Sequence, residues 1–272
     1  MRRLPRPLLL VLTVVVTFLV VLGVVTLVGT TTRTAQHRAF IGAPQDRPGP
    51  VVLVPGYGGS TRSLERLAAK LRATGRTAAV FHLPGDGTGD LRTQAAALRT
   101  FVDAVRGNAP SVDVVGYSAG GVVTRLWVTD FGGRAVARRI VTLGSPHHGT
   151  RVAGLARAFA SSSCPTACQQ LAPDSPVLGE LNDGDPTPSG PVWTAVWTDY
   201  DQVVTPPDSG RLDGATDIRL QAVCADERVD HSGLPDSPLV AGIVLRSVGV
   251  APPAVPRPAD CGALRHLGAT VT

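Results

Sequence analysis

Lysine, methionine and aromatic residues are scarce in this 272-residue chain, which has a single Lys (Lys70), a single Met and 4% aromatic residues. Charged residues make up 17% and hydrophobic residues 43%, a balance that excludes wholesale disorder and a coiled coil. The 30 Gly and 23 Pro residues follow no three-residue period, which excludes a collagen-like triple helix. The length is sufficient for one domain with a large core.

The distribution of charge does not favour a nucleic-acid partner. The formal net charge is +5, and residues 1–50, with six Arg and one Asp, account for all of it. The remaining 222 residues carry twenty basic and twenty acidic side chains. Because binding to phosphates requires clustered positive charge on the folded part, we expect no nucleic acid among the partners.

Residues 8–28 are a continuous uncharged, mostly apolar stretch that follows Arg2, Arg3 and Arg6. As a helix it would be about 31 Å long, the thickness of a hydrocarbon core. The arginines predict that the start stays cytoplasmic and the rest is exported. We predict an uncleaved transmembrane anchor over 1–28, a tether over 29–47 and a cell-membrane location with the domain outside. A cleaved signal peptide with secretion is the first alternative, and a buried core helix is the second.

The four cysteines agree with export, since an even number in an oxidising compartment predicts two disulfides. Three pairings are possible. A local bridge between Cys164 and Cys168 is the simplest, and it leaves Cys224 with Cys261. Zinc binding is the alternative, but no second close pair of Cys or His lies at ligand spacing, and we expect no metal.

Short β-branched segments alternate with helical periodicity over residues 50–250, a pattern that predicts a parallel sheet covered by helices. The predicted strands are Val51–Val54, Thr77–Phe81, Val112–Val115, Arg139–Leu143, Val192–Trp197 and Ile218–Val223. With a last helix at Pro238–Val248, they indicate one doubly wound α/β domain over residues 48–272. Residues 161–190 are predicted to pass over one edge of the sheet. The tail from Ala251 is predicted to be irregular and held by Cys261.

Ligands bind beyond the carboxyl ends of parallel strands, so the residues that follow each strand are candidates for function. Gly116-Tyr117-Ser118-Ala119-Gly120-Gly121 follows the third strand. A Gly-x-Ser-x-Gly turn between strand and helix exposes a strained serine at a helix N-terminus, which predicts Ser118 as a nucleophile. The loop Pro55–Gly59 follows the first strand, and it predicts the backbone N–H groups of Tyr57 and Ala119 as oxyanion donors.

A nucleophilic serine needs a base, and His231 is the predicted one. It follows the sixth strand, in a loop that can reach over the nucleophile. His148, in Ser-Pro-His-His-Gly-Thr after the fourth strand, is an alternative, and His266 in the tail is another. The other histidines are His37, His82 and His147.

The acid that orients the base should follow the fifth strand, where Asp199 and Asp201 both lie. Asp201 is favoured because the Val-Val-x-Pro run after it would hold its loop, and Asp199 stays open as the alternative. Asp113, inside the third strand, is interpreted as a structural hydrogen-bond acceptor. The order Ser118, Asp201, His231 is the chain order of the α/β-hydrolase triad.

These segments resemble secreted lipases of actinobacteria, members of the α/β-hydrolase superfamily. The resemblance extends over about residues 48–250 and rests on Val51–Gly59, Val114–Gly121, Leu143–Thr150, Cys164–Leu171, Asp201–Pro206 and Asp230–Pro235. It implies hydrolysis of carboxylic esters, often acylglycerols, with no cofactor. It also implies the same triad and oxyanion donors, and a scaffold role for His148.

The chain departs from that family in two respects. The long N-terminal segment suggests a tethered enzyme, and there is no long apolar helical insertion that could serve as a lid, which favours simple esterase over interfacial lipase activity. We predict a monomeric serine ester hydrolase that acts on acyl esters or lipids outside the cytoplasm. The alternatives are acyl transfer to a cell-envelope alcohol by the same triad and a non-catalytic binding protein with a hydrolase fold.

Overall fold

The strands form one parallel sheet in the computed structural model, which describes Thr17, residues 19–20 and residues 42–270. They are β1 (Val51–Val54), β2 (Ala78–Val80), β3 (Val112–Tyr117), β4 (Ala137–Leu143), β5 (Val192–Trp197) and β6 (Thr216–Arg219). Their order in the sheet is β2-β1-β3-β4-β5-β6, and every neighbouring pair is parallel. The predicted doubly wound α/β arrangement is confirmed.

Helices cover both faces of the sheet. They are α1 (Arg62–Ala73), α2 (Leu91–Arg106), α3 (Ala119–Asp130), α4 (Arg151–Phe159), α5 (Thr166–Gln170), α6 (Pro176–Asn182), α7 (Leu220–Val223), α8 (Pro238–Ser247) and α9 (Cys261–Thr270). One apolar cluster joins α2, α3 and α6 to the sheet, and a second joins α1, α8 and α9 to the opposite face.

Strand β1 shows why the sequence forms a sheet that is buried on both sides. All four of its side chains are fully buried. Side chains alternate between the two faces of a strand, so Val52 and Val54 pack in the first cluster and Val51 and Leu53 pack in the second. An uninterrupted apolar run is therefore what this position requires.

The predicted membrane anchor lies outside the described residues, apart from Thr17, Leu19 and Val20. Among the helices that the structure describes, none is both long enough and apolar enough to cross a membrane. Residues 42–47, part of the predicted tether, lie against the domain. The carbonyl of Gln45 accepts a hydrogen bond from Arg138, and that of Arg47 accepts one from Ser111.

The sixth strand is shorter than predicted. It ends at Arg219, and the residues predicted to complete it form the one-turn helix α7. Leu220, Val223 and Cys224 are buried, which is a spacing of three and four residues rather than two. The prediction of a strand over Ile218–Val223 was wrong for its last four residues because a short apolar run does not separate the two periods.

The prediction of an irregular tail was wrong for residues 261–270, which form α9. This helix packs against α8 through close backbone contacts instead of a broad apolar stripe. A Cβ atom on Gly242 would lie 2.0 Å from the carbonyl oxygen of Leu264, and one on Gly268 would lie 1.9 Å from that of Pro238. Small residues at a helix contact leave little apolar periodicity in the sequence, which explains why the helix was missed.

Residues 161–190, which are predicted to pass over one edge of the sheet, pack beside α2 and α3. They contain α5 and α6, whose Leu171 and Leu178 belong to the same apolar cluster as α2 and α3. Gln170 fixes this segment to α2, because its Oε1 accepts from the backbone N–H of Leu91 and its Nε2 donates to Asp90.

Two disulfides join Cys164 to Cys168 and Cys224 to Cys261, which is the pairing that the sequence favoured. The first joins Cys164, two residues before α5, to Cys168 inside α5. The second joins the residue after α7 to the first residue of α9. The zinc alternative for these cysteines is excluded, since each sulfur is bonded to another sulfur.

Asp113 is a buried acceptor at the amino end of the sheet, as predicted. Its Oδ2 accepts from Arg76 and from the fully buried Arg138, each at 2.6 Å, and its Oδ1 accepts from the backbone N–H of Arg139 at 3.1 Å. The carboxylate therefore compensates a guanidinium that has no exposed surface.

We expect Asp113→Asn to lower the free energy of unfolding by about 3–5 kcal/mol, because an amide cannot compensate the charge of buried Arg138. Urea denaturation followed by circular dichroism measures the change. Asp103→Asn is the matched control. Asp103 pairs with Arg99 at 3.8 Å with both side chains more than half exposed, so its loss should change stability by less than about 1 kcal/mol. Equal effects of the two substitutions would contradict the prediction.

Candidate active site

The backbone reverses direction at Ser118, between the end of β3 and the start of α3. Ser118 has φ of 53°, and it is the only non-glycine residue with a positive φ among those described. Its backbone N–H donates to the carbonyl of Leu143 in β4 at 2.8 Å. The turn raises the hydroxyl above the carboxyl edge of the sheet and places it at the N-terminus of α3, where the free N–H groups favour negative charge.

Gly120 and Gly116 allow α3 to begin directly against the strands. A Cβ atom on Gly120 would lie 2.3 Å from the carbonyl oxygen of Val54, and one on Gly116 would lie 2.7 Å from the Cα of Gly121. These separations are too short for any side chain. The two glycines of the predicted Gly-x-Ser-x-Gly motif are therefore required by packing around the turn.

A continuous path of hydrogen bonds joins three predicted residues. The Nε2 atom of His231 lies 3.0 Å from Oγ of Ser118, and its Nδ1 atom lies 2.7 Å from Oδ2 of Asp201. The side chains of His231 and Asp201 are 9% and 2% exposed, so this path is largely shielded from water. The geometry fits an imidazole that carries its proton on Nδ1 and accepts from Ser118 through Nε2.

Asp201, and not Asp199, is the carboxylate that reaches His231. The second oxygen of Asp201 accepts from the backbone N–H groups of Val203 and Val204 at 2.9 and 2.7 Å, which fixes the carboxylate in its loop. Asp199 instead pairs with Arg219 at 3.6 Å, on a part-exposed surface. The Val-Val run after Asp201 holds the loop through its backbone donors.

The two predicted oxyanion donors lie in chain segments next to Ser118, the loop after β1 and the start of α3. A Cβ atom on Gly56 would lie 2.8 Å from Cβ of Ser118, so the loop after β1 lies directly against the serine and leads into Tyr57. Ala119 is the first residue of α3, and its backbone N–H has no acceptor within the helix. The N–H groups of Tyr57 and Ala119 therefore remain the predicted donors to an oxygen atom bound beside Ser118.

The other histidines within residues 42–270 do not reach Ser118. His147 is fully buried, its Nε2 lies 3.0 Å from Oγ1 of Thr142, and its carbonyl accepts from Asn182. Burial, and then the charge of Arg125, lower the pKa of His147 well below its usual value, so the ring is neutral. His148, His82 and His266 are exposed, and His37 lies outside the described residues.

A mostly apolar cavity of about 280 Å³ opens beside Ser118. One wall is α4, which contributes Val152, Ala153 and Ala156, and another includes Cys168 and Leu171. Helix α4 has nine residues. Within the described residues, no group of three His, Cys, Asp or Glu side chains is placed to hold a metal ion.

Sequence reasoning missed two residues that shape the site. The hydroxyl of Tyr117 donates to the carbonyl of His231 at 3.1 Å, and burial together with the charge of Asp201 raises the pKa of this hydroxyl, so it remains a donor. A Cβ atom on Gly144 would lie 3.2 Å from Oδ2 of Asp201 and from Nδ1 of His231. The position of Tyr117 inside the Gly-x-Ser-x-Gly motif was the only available signal.

Comparison with known proteins supplies the family. Residues 48–214 match the family described as Lipase (class 2). No curated protein matches the chain. Among solved structures, lipase B of Aspergillus fumigatus superposes with a TM-score of 0.63 at 19% identity, over 85% of this chain and 65% of that one. The propeptide form of the Bacillus licheniformis lipase BlEst2 superposes with a TM-score of 0.63 at 19% identity, over 78% of this chain and 54% of that one.

A third similar structure is that reported for the metagenome-derived lipolytic enzymes LipS and LipT, with a TM-score of 0.56 at 19% identity, over 76% of this chain and 94% of that one. The chain thus spans about two thirds of lipase B and about half of BlEst2. At this level of identity the likeness shows the fold, which is that of the α/β-hydrolases.

The geometry predicts how Ser118 reacts with a fluorophosphonate probe. We expect Ser118 to be the modified residue, and we expect Asp201→Asn to slow the modification by at least about 100-fold because the imidazole loses the partner that fixes its tautomer. Asp199→Asn is the matched control and should leave the rate within about twofold, since exposed ion pairs contribute little. Mass spectrometry of labelled peptides over time measures both rates. The opposite ranking would assign the orienting carboxylate to Asp199.

Proposed function

The chain belongs to the class 2 lipase family, and from that premise we propose that it hydrolyses carboxylic esters through an acyl-serine intermediate. The observation that carries the proposal is the hydrogen-bonded path from Asp201 through His231 to Ser118. A serine hydroxyl is a weak nucleophile on its own, and a neighbouring base that is itself oriented by a third group is the usual means of activating it.

In the first half of the reaction, Oγ of Ser118 attacks the ester carbonyl while Nε2 of His231 takes its proton. The negative charge that develops on the carbonyl oxygen is met by the backbone N–H groups of Tyr57 and Ala119. The bond to the alcohol then breaks, and the imidazolium returns its proton to the departing oxygen. The acyl group remains on Ser118, and Asp201 stabilises the imidazolium without taking its proton.

In the second half, water takes the place of the alcohol. His231 removes a proton from the water as its oxygen attacks the acyl carbonyl, and the same N–H donors receive the oxyanion. When the bond to Oγ breaks, His231 returns the proton to Ser118. The products are a carboxylic acid and a free enzyme ready for the next ester.

The cavity beside Ser118 supports an apolar acyl group as the bound part of the substrate. Its volume is about 280 Å³, and it is lined mainly by aliphatic side chains. An aliphatic lining of this kind favours the alkyl part of an acyl group. Each buried methylene is worth about 0.8 kcal/mol, so binding energy should rise with chain length until the cavity is filled.

The place of action is part of the proposal. The two disulfides support an oxidising compartment outside the cytoplasm, where such bonds persist. The uncharged stretch over residues 8–28, preceded by three arginines, supports attachment to a membrane with the domain on the outer side. A domain held there would meet esters of lipids or of other cell-envelope components.

We expect Ser118→Ala and His231→Ala each to lower kcat for nitrophenyl octanoate by about 10⁴–10⁶-fold, and the double variant to be little worse than either single one. Residues that act as one unit give such strongly non-additive losses. The measurement is initial rates with the full chain, with folding checked by circular dichroism. Wild-type rates in either single variant would overturn the proposed mechanism.

We also expect Ala156→Trp to lower kcat/KM for octanoate esters at least about tenfold relative to acetate esters, because the indole fills space that the longer chain needs. A series of nitrophenyl esters from two to sixteen carbons measures this ratio. Ala158→Trp is the matched control, since Ala158 lies on the same helix but is exposed and does not line the cavity. An unchanged length preference in Ala156→Trp would place the acyl group elsewhere.

A further inference from the structure

We infer that Tyr117, Thr198 and Gln221 are positioning residues. They hold the loop that carries His231 so that its imidazole stays at hydrogen-bond distance from Ser118. The inference rests on the proposed function and deepens it, because it assigns roles to three side chains that do not touch the reacting atoms. Each of them donates a hydrogen bond to a backbone carbonyl of this loop.

The loop is the segment over residues 225–233, and it has neither helix nor strand along most of its length. The base therefore sits on a segment without the regular backbone hydrogen bonds that fix Ser118 between β3 and β4. Such segments are the parts of a protein that open most readily. Another source of order is needed to keep Nε2 of His231 at 3.0 Å from Ser118.

The first donor is Tyr117, the residue directly before Ser118. Its hydroxyl lies 3.1 Å from the carbonyl oxygen of His231, and its ring packs against the imidazole with 5.3 Å between centroids. Because Tyr117 is the last residue of β3, the same strand end carries the nucleophile and binds the backbone of the base. Any movement of His231 away from Ser118 must break this hydrogen bond or displace Tyr117.

The second donor is Thr198, which directly follows β5 and is fully buried. Its hydroxyl donates to the carbonyl of Val229 at 2.8 Å. Thr198 lies three residues before Asp201, so the end of β5 binds both the loop of the base and the side chain of the base. Val229 is two residues before His231, which makes this contact local to the imidazole.

The third donor is Gln221, in α7 after β6. Its Nε2 donates to the carbonyl of Glu227 at 3.2 Å and to Oγ1 of Thr198 at 3.0 Å. Its Oε1 accepts from the backbone N–H of Asp199 at 2.9 Å. Thr198 thus accepts from Gln221 and donates to Val229, and every polar atom of the pair has a partner. A fully satisfied network of this kind, anchored on buried Thr198, is rigid.

The three carbonyls belong to residues 227, 229 and 231, every second position along the chain. The three donors therefore bind at regular intervals along a segment that has no neighbouring strand. Side chains from the ends of β3, β5 and β6–α7 therefore substitute for the neighbouring strand that this segment lacks. Each donor comes from a different part of the carboxyl edge, so the loop is fixed along its length.

Small displacements of a base matter, since about 1 Å of misplacement costs on the order of 100-fold in rate. We expect Tyr117→Phe and Thr198→Val each to lower kcat on the order of 10-fold, with KM within about twofold. Both substitutions keep the shape of the side chain and remove the donor. Thr198→Ser restores the hydroxyl and should recover activity to within about threefold of wild type.

Tyr200→Phe is the matched control for Tyr117→Phe. Tyr200 is 38% exposed, its ring lies against Arg228, and its hydroxyl has no hydrogen-bond partner in the described part of the chain. The kcat of Tyr200→Phe should equal that of the wild-type enzyme. Gln221→Glu provides a further variant should buried Thr198→Val fold poorly, because it replaces the donating amide at a part-exposed position and should lower kcat in the same direction.

A double-mutant cycle separates positioning from general stability. If Tyr117 acts through His231, Tyr117→Phe should have no further effect on the residual rate of His231→Ala. The proton resonance of the His231 Nδ1–H, seen at low field in one-dimensional NMR, should also broaden or shift in Tyr117→Phe and remain unchanged in Tyr200→Phe. A purely structural role would give the same fold-loss in both backgrounds.

Unchanged kcat in both Tyr117→Phe and Thr198→Val would overturn the inference, as would an equal loss with and without His231. Either result leaves the proposed function intact, provided that His231→Ala is itself inactive. Wild-type activity of His231→Ala would instead remove the proposed function. The two failures are therefore distinguished by one additional variant in the same set of assays.

Discussion

The left-handed turn at Ser118 is the constraint on which the rest of the site depends. A non-glycine residue in this conformation costs on the order of 1–3 kcal/mol and persists only where the surrounding structure enforces it. Here the enforcement comes from the hydrogen bond to Leu143 and from the close packing of Gly120 against β1. The strain is thus supported by the core of the sheet, and the exposed hydroxyl is held by the most buried strands of the protein.

The parallel sheet brings Ser118, Asp201 and His231 to the same place. Ser118 and His231 are 113 residues apart in the chain, and Asp201 is 30 residues from His231. Each follows a strand or the short helix after one, and the carboxyl ends of parallel strands all meet at one edge. The base needs a longer connection than the other two because it approaches from above the serine. It therefore depends on side-chain hydrogen bonds where Ser118 and Asp201 depend on backbone ones.

Prediction from the sequence succeeded where residues close together in the chain determine the structure. The bounds of β1 and β5 are as predicted, and the turn at Ser118 was recognisable because its two glycines each lie two residues from the serine in the sequence. It failed at α7 and α9, where a short apolar run and a glycine-mediated helix contact carry no distinctive period. The position of Tyr117 in the motif did not indicate its bond to His231, because the acceptor is a main-chain carbonyl 114 residues away and every residue type carries such a group.

Helix α9 makes two contacts near the loop of His231 that were not predicted from the sequence. It supplies Cys261 to the disulfide with Cys224, and a 37-residue closed loop of this kind restricts the unfolded chain by about 3–4 kcal/mol in the entropic account. It also supplies Arg265, which binds Asp226 and Glu227 at 3.0 and 2.7 Å. The disulfide holds the residue directly before the segment over residues 225–233, and Arg265 binds the second and third residues of that segment. Since the far side of that segment is held by Tyr117 and Thr198, the base is supported from the strand ends on one side and from α9 on the other.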